Sequence, residues 1–167
     1  MEIKKLAYNV LNFSLNRVIE IIGIGIAIIG FFLLVSLFSF SPDDPNFIFP
    51  KNTEIENLLG FRGSFTADLF LQSFGLISLL IPFGLILTGL NIFKNKKIFL
   101  IIENLFYTIL YLILGSLFFS YFYQNSFELH INGNGGFIGK YLSNTFLNYI
   151  IDMRPTISYF ILIFIIL

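Results

Sequence analysis

Two adjacent carboxylates and one imidazole are the side chains in this sequence with the clearest capacity for chemistry. Asp43 and Asp44 form a pair that could serve acid–base work or bind a hard metal ion. Prolines flank the pair, and a proline-bounded turn explains both acids without any ligand. His130 lies two residues after Glu128 in a glycine-rich stretch, and the chain has one histidine and no cysteine, so it cannot form a histidine-rich or thiolate metal site. We therefore predict no catalytic residue, no metal site and no bound cofactor in this chain.

Closely spaced glycines are a second candidate, because glycine loops can cradle phosphates. Gly23-Ile-Gly25 lies inside an apolar run and lacks the strand–turn–helix context of dinucleotide and P-loop sites. Gly23, Ala27 and Gly30 instead recur at spacings of four and three residues, which predicts a helix-packing face. Further packing candidates in the next apolar run are Gly75 and Gly84.

The composition indicates that these residues lie in a membrane protein. The chain has 167 residues, of which 56% are hydrophobic, 12% are charged and 23 are phenylalanine. Soluble domains have about 25% charged residues and need a polar surface. The formal net charge is zero, so no overall positive field favours nucleic-acid binding.

Long uncharged runs predict the transmembrane helices. Residues 21–40, 69–93 and 104–127 contain no charged side chain, and about 20 apolar residues suffice to cross a bilayer. A shorter apolar stretch follows Pro155, and we expect its helix to continue beyond the end of the sequence. The predicted class is an all-α membrane protein, a four-transmembrane-helix bundle with the last helix truncated. Its spans are expected at about 18–40, 67–93, 98–123 and 155–167, with outer loops at 41–66 and 124–154.

The distribution of lysine and arginine predicts the orientation. Six basic residues precede the first span or lie between the second and third: Lys4, Lys5, Arg17, Lys94, Lys96 and Lys97. Three acidic residues accompany them, whereas four basic and seven acidic residues belong to the other side. Because basic residues accumulate on the cytoplasmic side, residues 1–17 are predicted to be a cytoplasmic amphipathic lead-in.

Both outer loops contain signals for helix ends. Ser64 or Thr66 is expected to cap the second span, with Asp68 in its first turn. Pro82, with the glycines of the same run, is expected to bend that span or admit a neighbour. Apolar residues recur at helical spacing from 137 to 151, which predicts a short amphipathic helix at the outer membrane interface.

Three segments resemble the membrane domain of the FtsK/SpoIIIE family of bacterial DNA translocases. The first is Leu37-Phe-Ser-Phe-Ser-Pro-Asp-Asp-Pro45, and the second is Asn57-Leu-Leu-Gly-Phe-Arg-Gly-Ser-Phe-Thr-Ala-Asp68. The third is Gly135-Gly-Phe-Ile-Gly139. Ser64 stands where the family usually has alanine. The family-like positions are Ser41, Pro42, Asp44, Pro45, Asn57, Gly60, Gly63, Ala67, Asp68, Gly135, Gly136 and Gly139.

This resemblance implies a membrane-anchoring domain that interacts with division-site membrane proteins and the lipid bilayer. It implies a homo-oligomer, a hexamer in the family, in the bacterial inner membrane at the division septum. ATP, Mg²⁺ and DNA are expected to bind only to a motor outside this chain, because the sequence has no Gly-x-x-x-x-Gly-Lys-[Ser/Thr]. The chain itself is therefore not expected to be an enzyme.

A small polytopic transporter or channel subunit is the alternative. It would require a polar path through the bundle, and an ionisable residue inside a span would be its usual sign. None of the three complete spans has a charge in its middle. The polar residues available are Ser36, Gln72, Ser73, Ser78, Thr88, Thr108, Ser116 and Ser120. Because hydroxyl groups can bond their own helix backbone, they do not require a pore.

Overall fold

The computed structural model describes residues 2–45, 54–124, 132–145 and 147–167, and every regular element among them is helical. The elements are α1 (Glu2–Phe38), α2 (Gly60–Phe74), a 3₁₀ turn (Gly75–Leu79), α3 (Leu80–Asn95), α4 (Leu100–Phe122), α5 (Gly136–Ser143), α6 (Leu147–Met153) and α7 (Pro155–Ile166). The predicted all-α class is confirmed. His130 and Glu128, named above as candidates for chemistry, lie outside the described residues.

Helix α1 is continuous over 37 residues. The expected lead-in at 1–17 and the first span therefore form one helix, without a break at residue 17. The polar residues of the lead-in are compatible with helix, and nothing between Glu2 and Phe38 is a proline that would interrupt it. The helix ends before Pro42, as expected from the restriction that proline places on the residue before it.

The second apolar run forms two α-helices joined by the 3₁₀ turn. Gly75 begins this turn with a φ of 74°, a left-handed conformation that glycine adopts without a steric penalty. Pro82 is the third residue of α3, where its missing N–H has no partner within the helix in any case. The interruption of this run therefore lies at Gly75 rather than at Pro82.

The expected cap of the second helix is wrong. The helix begins at Gly60 and has no side-chain cap, and Leu59 precedes it. Ser64 donates to the Pro45 carbonyl and Thr66 to the Arg62 carbonyl, so neither hydroxyl caps the helix. Asp68 is consequently beyond the first turn, because tertiary hydrogen bonds from the first loop start this helix several residues earlier than the apolar pattern suggests.

Helices α1, α3 and α4 alternate in direction. Gly23 contacts Gly89 while Gly30 contacts Leu85, so α1 and α3 run antiparallel. The Asn104 side chain donates to the Thr88 hydroxyl at 2.8 Å across the short connection between α3 and α4. We call the end of the bundle at this connection the inner end, and the end at residues 36–45 and 54–64 the outer end.

The stretch expected to form one amphipathic helix at 137–151 instead forms α5 and α6, with a break between Ser143 and Leu147. Phe137 and Tyr141 of α5 are 60% and 65% exposed, whereas the α5 glycines are buried. Small residues rather than aromatic ones therefore hold α5 to the bundle, because only they allow the two backbones to approach closely.

Helix α7 is attached to α4 through aromatic residues. The Tyr123 and Tyr159 hydroxyl groups share a hydrogen bond of 2.9 Å. The Tyr159 ring also lies 5.5 Å from that of Phe118 and 5.2 Å from that of Phe122. These separations are typical of favourable aromatic pairs.

Three helical segments of the described chain are long and apolar enough to cross a membrane: Lys4–Phe38, Gly60–Asn95 and Leu100–Phe122. Pro155–Ile166 is a shorter apolar helix. The small core lies where α1, α2, α3 and α4 meet and comprises Leu33, Leu37, Ala67, Leu71, Ile77, Ile81 and Leu112. Most other large apolar side chains on these helices point outward, as expected where lipid is the solvent.

Candidate functional site

A buried hydrogen-bonded cluster at the outer end joins two of the three family-like segments. We call it the outer clasp and define it as Ser36, Asp44, Asn57, Gly63 and Ser64. All five residues are buried. They come from the end of α1, the two described parts of the first outer loop and the first turns of α2.

Asp44 holds the second part of the loop against the first. Its carboxylate accepts the backbone N–H of Glu56 at 2.7 Å and that of Asn57 at 2.9 Å. Both carboxylate oxygens therefore bind backbone, which satisfies a buried charge without a metal ion. No cluster of three metal-ligating side chains occurs among the described residues. The carboxylate pair considered from sequence divides into a structural Asp44 and an exposed Asp43.

Asn57 connects the end of α1 to the start of α2. Its side-chain Nδ2 donates to the Ser36 carbonyl at 2.9 Å and to the Ser39 carbonyl at 3.1 Å. These carbonyls lie in and just after the last turn of α1, where backbone carbonyls lack partners within the helix. Its Oδ1 accepts the N–H of Leu59 at 3.1 Å. One amide thus satisfies groups from both helices.

Gly63 lets α2 lie directly on this amide. The Ser36 hydroxyl donates to the Gly63 carbonyl at 2.7 Å, and Ser64 donates to the Pro45 carbonyl at 3.0 Å. A Cβ at Gly63 would overlap Asn57 Oδ1 and approach Leu59 Cβ to 2.6 Å. Close packing therefore requires glycine at position 63, while Gly60 has open space and needs glycine for its φ of 64°.

A second cluster, which we call the glycine crossing, comprises Gly75, Asn134, Gly135, Gly136 and Gly139. Leu76 N–H donates to the Asn134 carbonyl at 2.9 Å. A Cβ at Gly75 would lie 2.6 Å from the Gly135 carbonyl carbon, and one at Gly136 would lie 2.7 Å from Phe74 backbone. Two backbones meet here with no room for side chains.

Ser116 of α4 ties the glycine crossing to the rest of the bundle. Its hydroxyl donates to the Phe74 carbonyl at 2.8 Å, just before the helix interruption. A Cβ at Gly135 would lie 2.5 Å from the Ser116 carbonyl oxygen, and one at Gly139 would lie 2.8 Å from its carbonyl carbon. The third family-like segment thus packs on α4 and on the 3₁₀ turn at once.

The inner half of the α1–α3 contact is made by small residues. A Cβ at Gly23 would meet the Gly89 carbonyl oxygen at 2.7 Å, and one at Gly89 would meet Ala27 N at 2.6 Å. Gly30 lies against Leu85, because a Cβ added at Gly30 would lie 2.9 Å from Leu85 Cβ. Gly84 has more room, since a Cβ there would lie 3.5 Å from the Tyr111 hydroxyl.

Beyond this contact, an ion-pair cluster closes the inner end. Glu20 accepts from Lys96 at 3.0 Å and also pairs with Arg17 on its own helix. Lys96 adopts a left-handed φ of 57° as the residue that ends α3. Arg17 and Lys96, two of the basic residues assigned to one side from sequence, therefore lie at the same end of the bundle.

The structure does not bring every family-like residue into these clusters. Ser41 and Pro42 form the turn before Asp44, in which Asp44 N–H donates to the Ser41 carbonyl at 3.3 Å. Ala67 belongs to the core. Asp68 is 9% exposed and its hydrogen-bond partner is Gln72 at 3.5 Å, a long contact. Among the described residues, the Asp68 side chain makes no hydrogen bond to the side chains of the outer clasp.

Sequence reasoning missed several residues that hold these clusters. Gly115 and Ser116 were not predicted to be contact residues, although they are a small pair inside an otherwise bulky helix. A Cβ at Gly115 would meet Ile77 Cδ1 at 2.5 Å. Asn134 donates to the Tyr123 carbonyl, which fixes the glycine-rich turn. Small or amide residues inside apolar or glycine-rich runs were the available signal.

The chain is similar in sequence to known membrane domains of DNA translocases. Residues 16–167 match the family described as the 4TM region of DNA translocase FtsK/SpoIIIE. A DNA translocase FtsK of Rickettsia prowazekii is 30% identical, covering 86% of this chain and 20% of the relative. One from Rickettsia bellii is 33% identical over 53% of this chain and 12% of the relative. A third, from Rickettsia typhi, is 29% identical over 70% of this chain.

The chain spans about a fifth or less of the length of these curated relatives. No solved structure matches it. The predicted family is confirmed by the match over residues 16–167. The described part of the chain has three apolar helical segments long enough to cross a membrane and one shorter apolar helix, as a membrane protein requires.

Proposed function

The chain belongs to the 4TM region of the DNA translocase FtsK/SpoIIIE family, and from this we propose that it anchors a translocase at the division site. In this proposal the helices hold the polypeptide in the bacterial inner membrane. The outer clasp shapes the surface that binds division-site membrane proteins. The work done on DNA belongs to a motor outside this chain.

The outer clasp is the observation that carries the proposal. It connects two family-like segments through buried hydrogen bonds, and it leaves neighbouring apolar side chains exposed. Leu58 is 78% exposed and Phe61 is 50% exposed. A rigid outer end with an exposed aromatic and an exposed apolar side chain suits a protein contact, because aromatic residues anchor many interfaces and exposed apolar patches mark binding surfaces.

We assign the motor to a part of the parent polypeptide outside this chain, because the relatives are much longer than the chain. They are named DNA translocases, and the longest of the three matches covers 20% of its relative. We propose that ATP and Mg²⁺ bind to the remaining part of the parent polypeptide. DNA would contact the protein only through that part, and hexamer formation would place several membrane domains side by side.

The polar residues of the spans support an anchor over the alternative of a transporter or channel subunit. Thr88 donates to the Gly84 carbonyl and Ser78 to the Gly75 carbonyl, each at 2.7 Å within its own segment. Ser36 and Ser116 instead join neighbouring elements. These hydroxyl groups satisfy backbone carbonyls, as expected of structural residues in lipid.

The orientation is proposed from charge. The basic lead-in and the Lys96 connection share one end, and their six basic residues against three acidic ones favour the cytoplasm. The outer clasp then faces the other side of the inner membrane, where partners at the septum could bind it.

The test uses two kinds of variant in the full-length translocase. Leu58→Asp and Phe61→Asp change the exposed surface without touching the buried bonds, and we expect them to reduce co-purification and septal recruitment of division proteins. Gly63→Val disturbs the outer clasp, because a side chain at position 63 overlaps Asn57. Asp68→Lys places a cation at a buried position further along α2. We expect both to impair recruitment while leaving membrane insertion intact.

Protease resistance measured on the same variants separates lost binding from lost folding. Normal resistance with lost recruitment in Leu58→Asp supports the proposal. Recruitment that persists when Leu58 and Phe61 are both replaced by Asp contradicts it.

A further inference from the structure

A groove separates α1 and α2 on the outer half of the bundle. It has a volume of about 360 Å³. Its deeper walls are apolar and include Phe32, Leu33 and Phe70, and its outer rim includes Arg62 and Thr66. Because Phe32 and Leu33 belong to the first apolar run, the groove descends from the outer rim to the depth of the hydrocarbon.

The rim holds an arginine without an acidic partner in the described part of the chain. The two ion pairs found there both involve Glu20 at the opposite end. The hydroxyl groups of Thr66 and Ser36 donate to the Arg62 and Gly63 carbonyls, and no hydrogen bond of the Arg62 guanidinium is found among the described residues. Arg62 itself is exposed.

We propose that this groove binds a phospholipid with a negatively charged head group. The guanidinium of Arg62 would contact the phosphate, for which its planar fork of donors is well suited. One acyl chain would lie along Phe32, Leu33 and Phe70. The charge and the apolar walls are arranged in the same order as the parts of such a lipid, from the outer rim inward.

A helix from a second copy fits this groove less well. A close helix contact would remove Arg62 from water, and an unpaired buried cation is strongly unfavourable. A lipid supplies the missing negative charge together with the apolar chain. Charge complementarity therefore favours a bound lipid. The experiment below also detects a second copy of the chain in the groove.

The absence of tryptophan allows a local fluorescence test. Phe32→Trp places one reporter in the groove, at a side chain that is 52% exposed. Ile109→Trp on α4 is the control and is 50% exposed. Thr108 neighbours Gly84, and Gly30 neighbours Leu85, so the two reporters lie at similar depth in the bilayer.

The whole chain carrying either reporter is reconstituted in phosphatidylcholine with increasing dibrominated phosphatidylglycerol, whose bromine quenches tryptophan on contact. At Phe32→Trp we expect quenching to show about a fivefold preference for phosphatidylglycerol, the size expected from one cation near an anionic lipid. At Ile109→Trp we expect no preference. Adding Arg62→Gln should abolish the preference, and Arg62→Lys should retain most of it and thereby show that the fold is intact.

Equal preference at both reporters would show that the lipid contact is not local, and would overturn the proposal. Preference that survives Arg62→Gln would do the same. Weak quenching at Phe32→Trp by every lipid, increasing as the protein is diluted in the bilayer, would instead identify a second copy as the occupant.

Discussion

The inner and outer ends of this bundle are held together by different kinds of contact. Along α1 and α3 the contact is made by Gly23, Ala27 and Gly89, where backbones approach without side chains between them. At the outer end, Asp44 and Asn57 form directional hydrogen bonds to backbone groups from separate segments. The first contact constrains how near two helices come, and the second constrains the shape of a loop.

The difference follows from the surroundings of each region, which are lipid around the helices and a folded loop at the outer end. In lipid, apolar side chains gain little by leaving the solvent, so close packing of small residues must hold the helices. Where a loop leaves the helices, its backbone groups need partners, and buried carboxylate and amide side chains provide them. A surface of defined shape is therefore more readily built at the outer end, because directional hydrogen bonds fix the path of its loop.

Labelling of single cysteines gives the most decisive test, because its outcome is all or none. The chain has no cysteine, so Leu58→Cys and Asn95→Cys report without background. Leu58 is exposed at the outer end, and Asn95 is exposed at the inner end. We expect an impermeant reagent to label Leu58→Cys in intact cells and Asn95→Cys only after lysis. The reverse pattern would invert the assignment of the two ends.

Gly75→Ala should cause the largest loss of stability. It combines a positive φ with overlap on the Asn134–Gly135 backbone, which we estimate at roughly 4 kcal/mol from conformational strain and overpacking together. Gly133→Ala is a matched control, since it has the same φ of 74° and open space around it. Unfolding in sodium dodecyl sulfate measures both, and equal losses would show that the close approach contributes nothing.

Gly23→Leu tests the inner contact. The added side chain must displace Gly89 or Phe93 backbone, and overpacking of this kind costs about 2 kcal/mol in soluble cores. A Cβ added at Gly25 on the same helix meets nothing within 4 Å, so Gly25→Leu should be nearly neutral. The same unfolding titration distinguishes them. A Gly25→Leu loss as large as that of Gly23→Leu would argue against packing by small residues.

Asp44→Asn tests the outer clasp with a side chain of equal size. One oxygen becomes an NH₂ group and can no longer accept, which leaves the N–H of Glu56 or Asn57 unsatisfied at about 1–2 kcal/mol. Asp43→Asn is the control, because Asp43 is exposed. We expect faster proteolysis of the first outer loop in Asp44→Asn alone. Similar proteolysis of both variants would mean that the loop is ordered by other contacts.

Glu20→Gln should have the smallest effect. The Lys96 side chain of this ion pair is 41% exposed at the inner end, where salt can screen the attraction. We expect a slight loss of stability at low salt that disappears at high salt. Glu103→Gln, an exposed acid in the first turn of α4, serves as the control. A loss that is independent of salt would indicate that the inner end also depends on directional bonds.

The sequence predicted the features that depend on local pattern. Long uncharged runs indicated membrane helices because backbone groups in lipid must be satisfied within a helix. Three motifs indicated the family, and Asp44, Asn57 and Gly63 were singled out through them. Their joint role in one cluster did not follow, because Asp44 and Asn57 are separated by 13 positions and meet only after the loop folds back on α1.

Predictions failed where tertiary contacts replaced local ones. Ser64 has the right type for a helix cap, yet the Pro45 carbonyl takes its hydroxyl group. The 137–151 stretch has a continuous helical period, yet it breaks into α5 and α6 while its glycines pack on Ser116. A periodic pattern describes which residues are apolar, and it does not describe how near another backbone will come.

By itself, then, the sequence determined the class, the family and the number of apolar runs, because hydropathy and motif spacing act along the chain. Only the tertiary structure decided which glycines are indispensable. Gly60, Gly63 and Gly75 look alike in sequence, but Gly63 is limited by overlap, Gly60 by φ, and Gly75 by both. That distinction depends on the backbone conformation and on atoms that folding brings near from distant positions, so the residue type alone cannot reveal it.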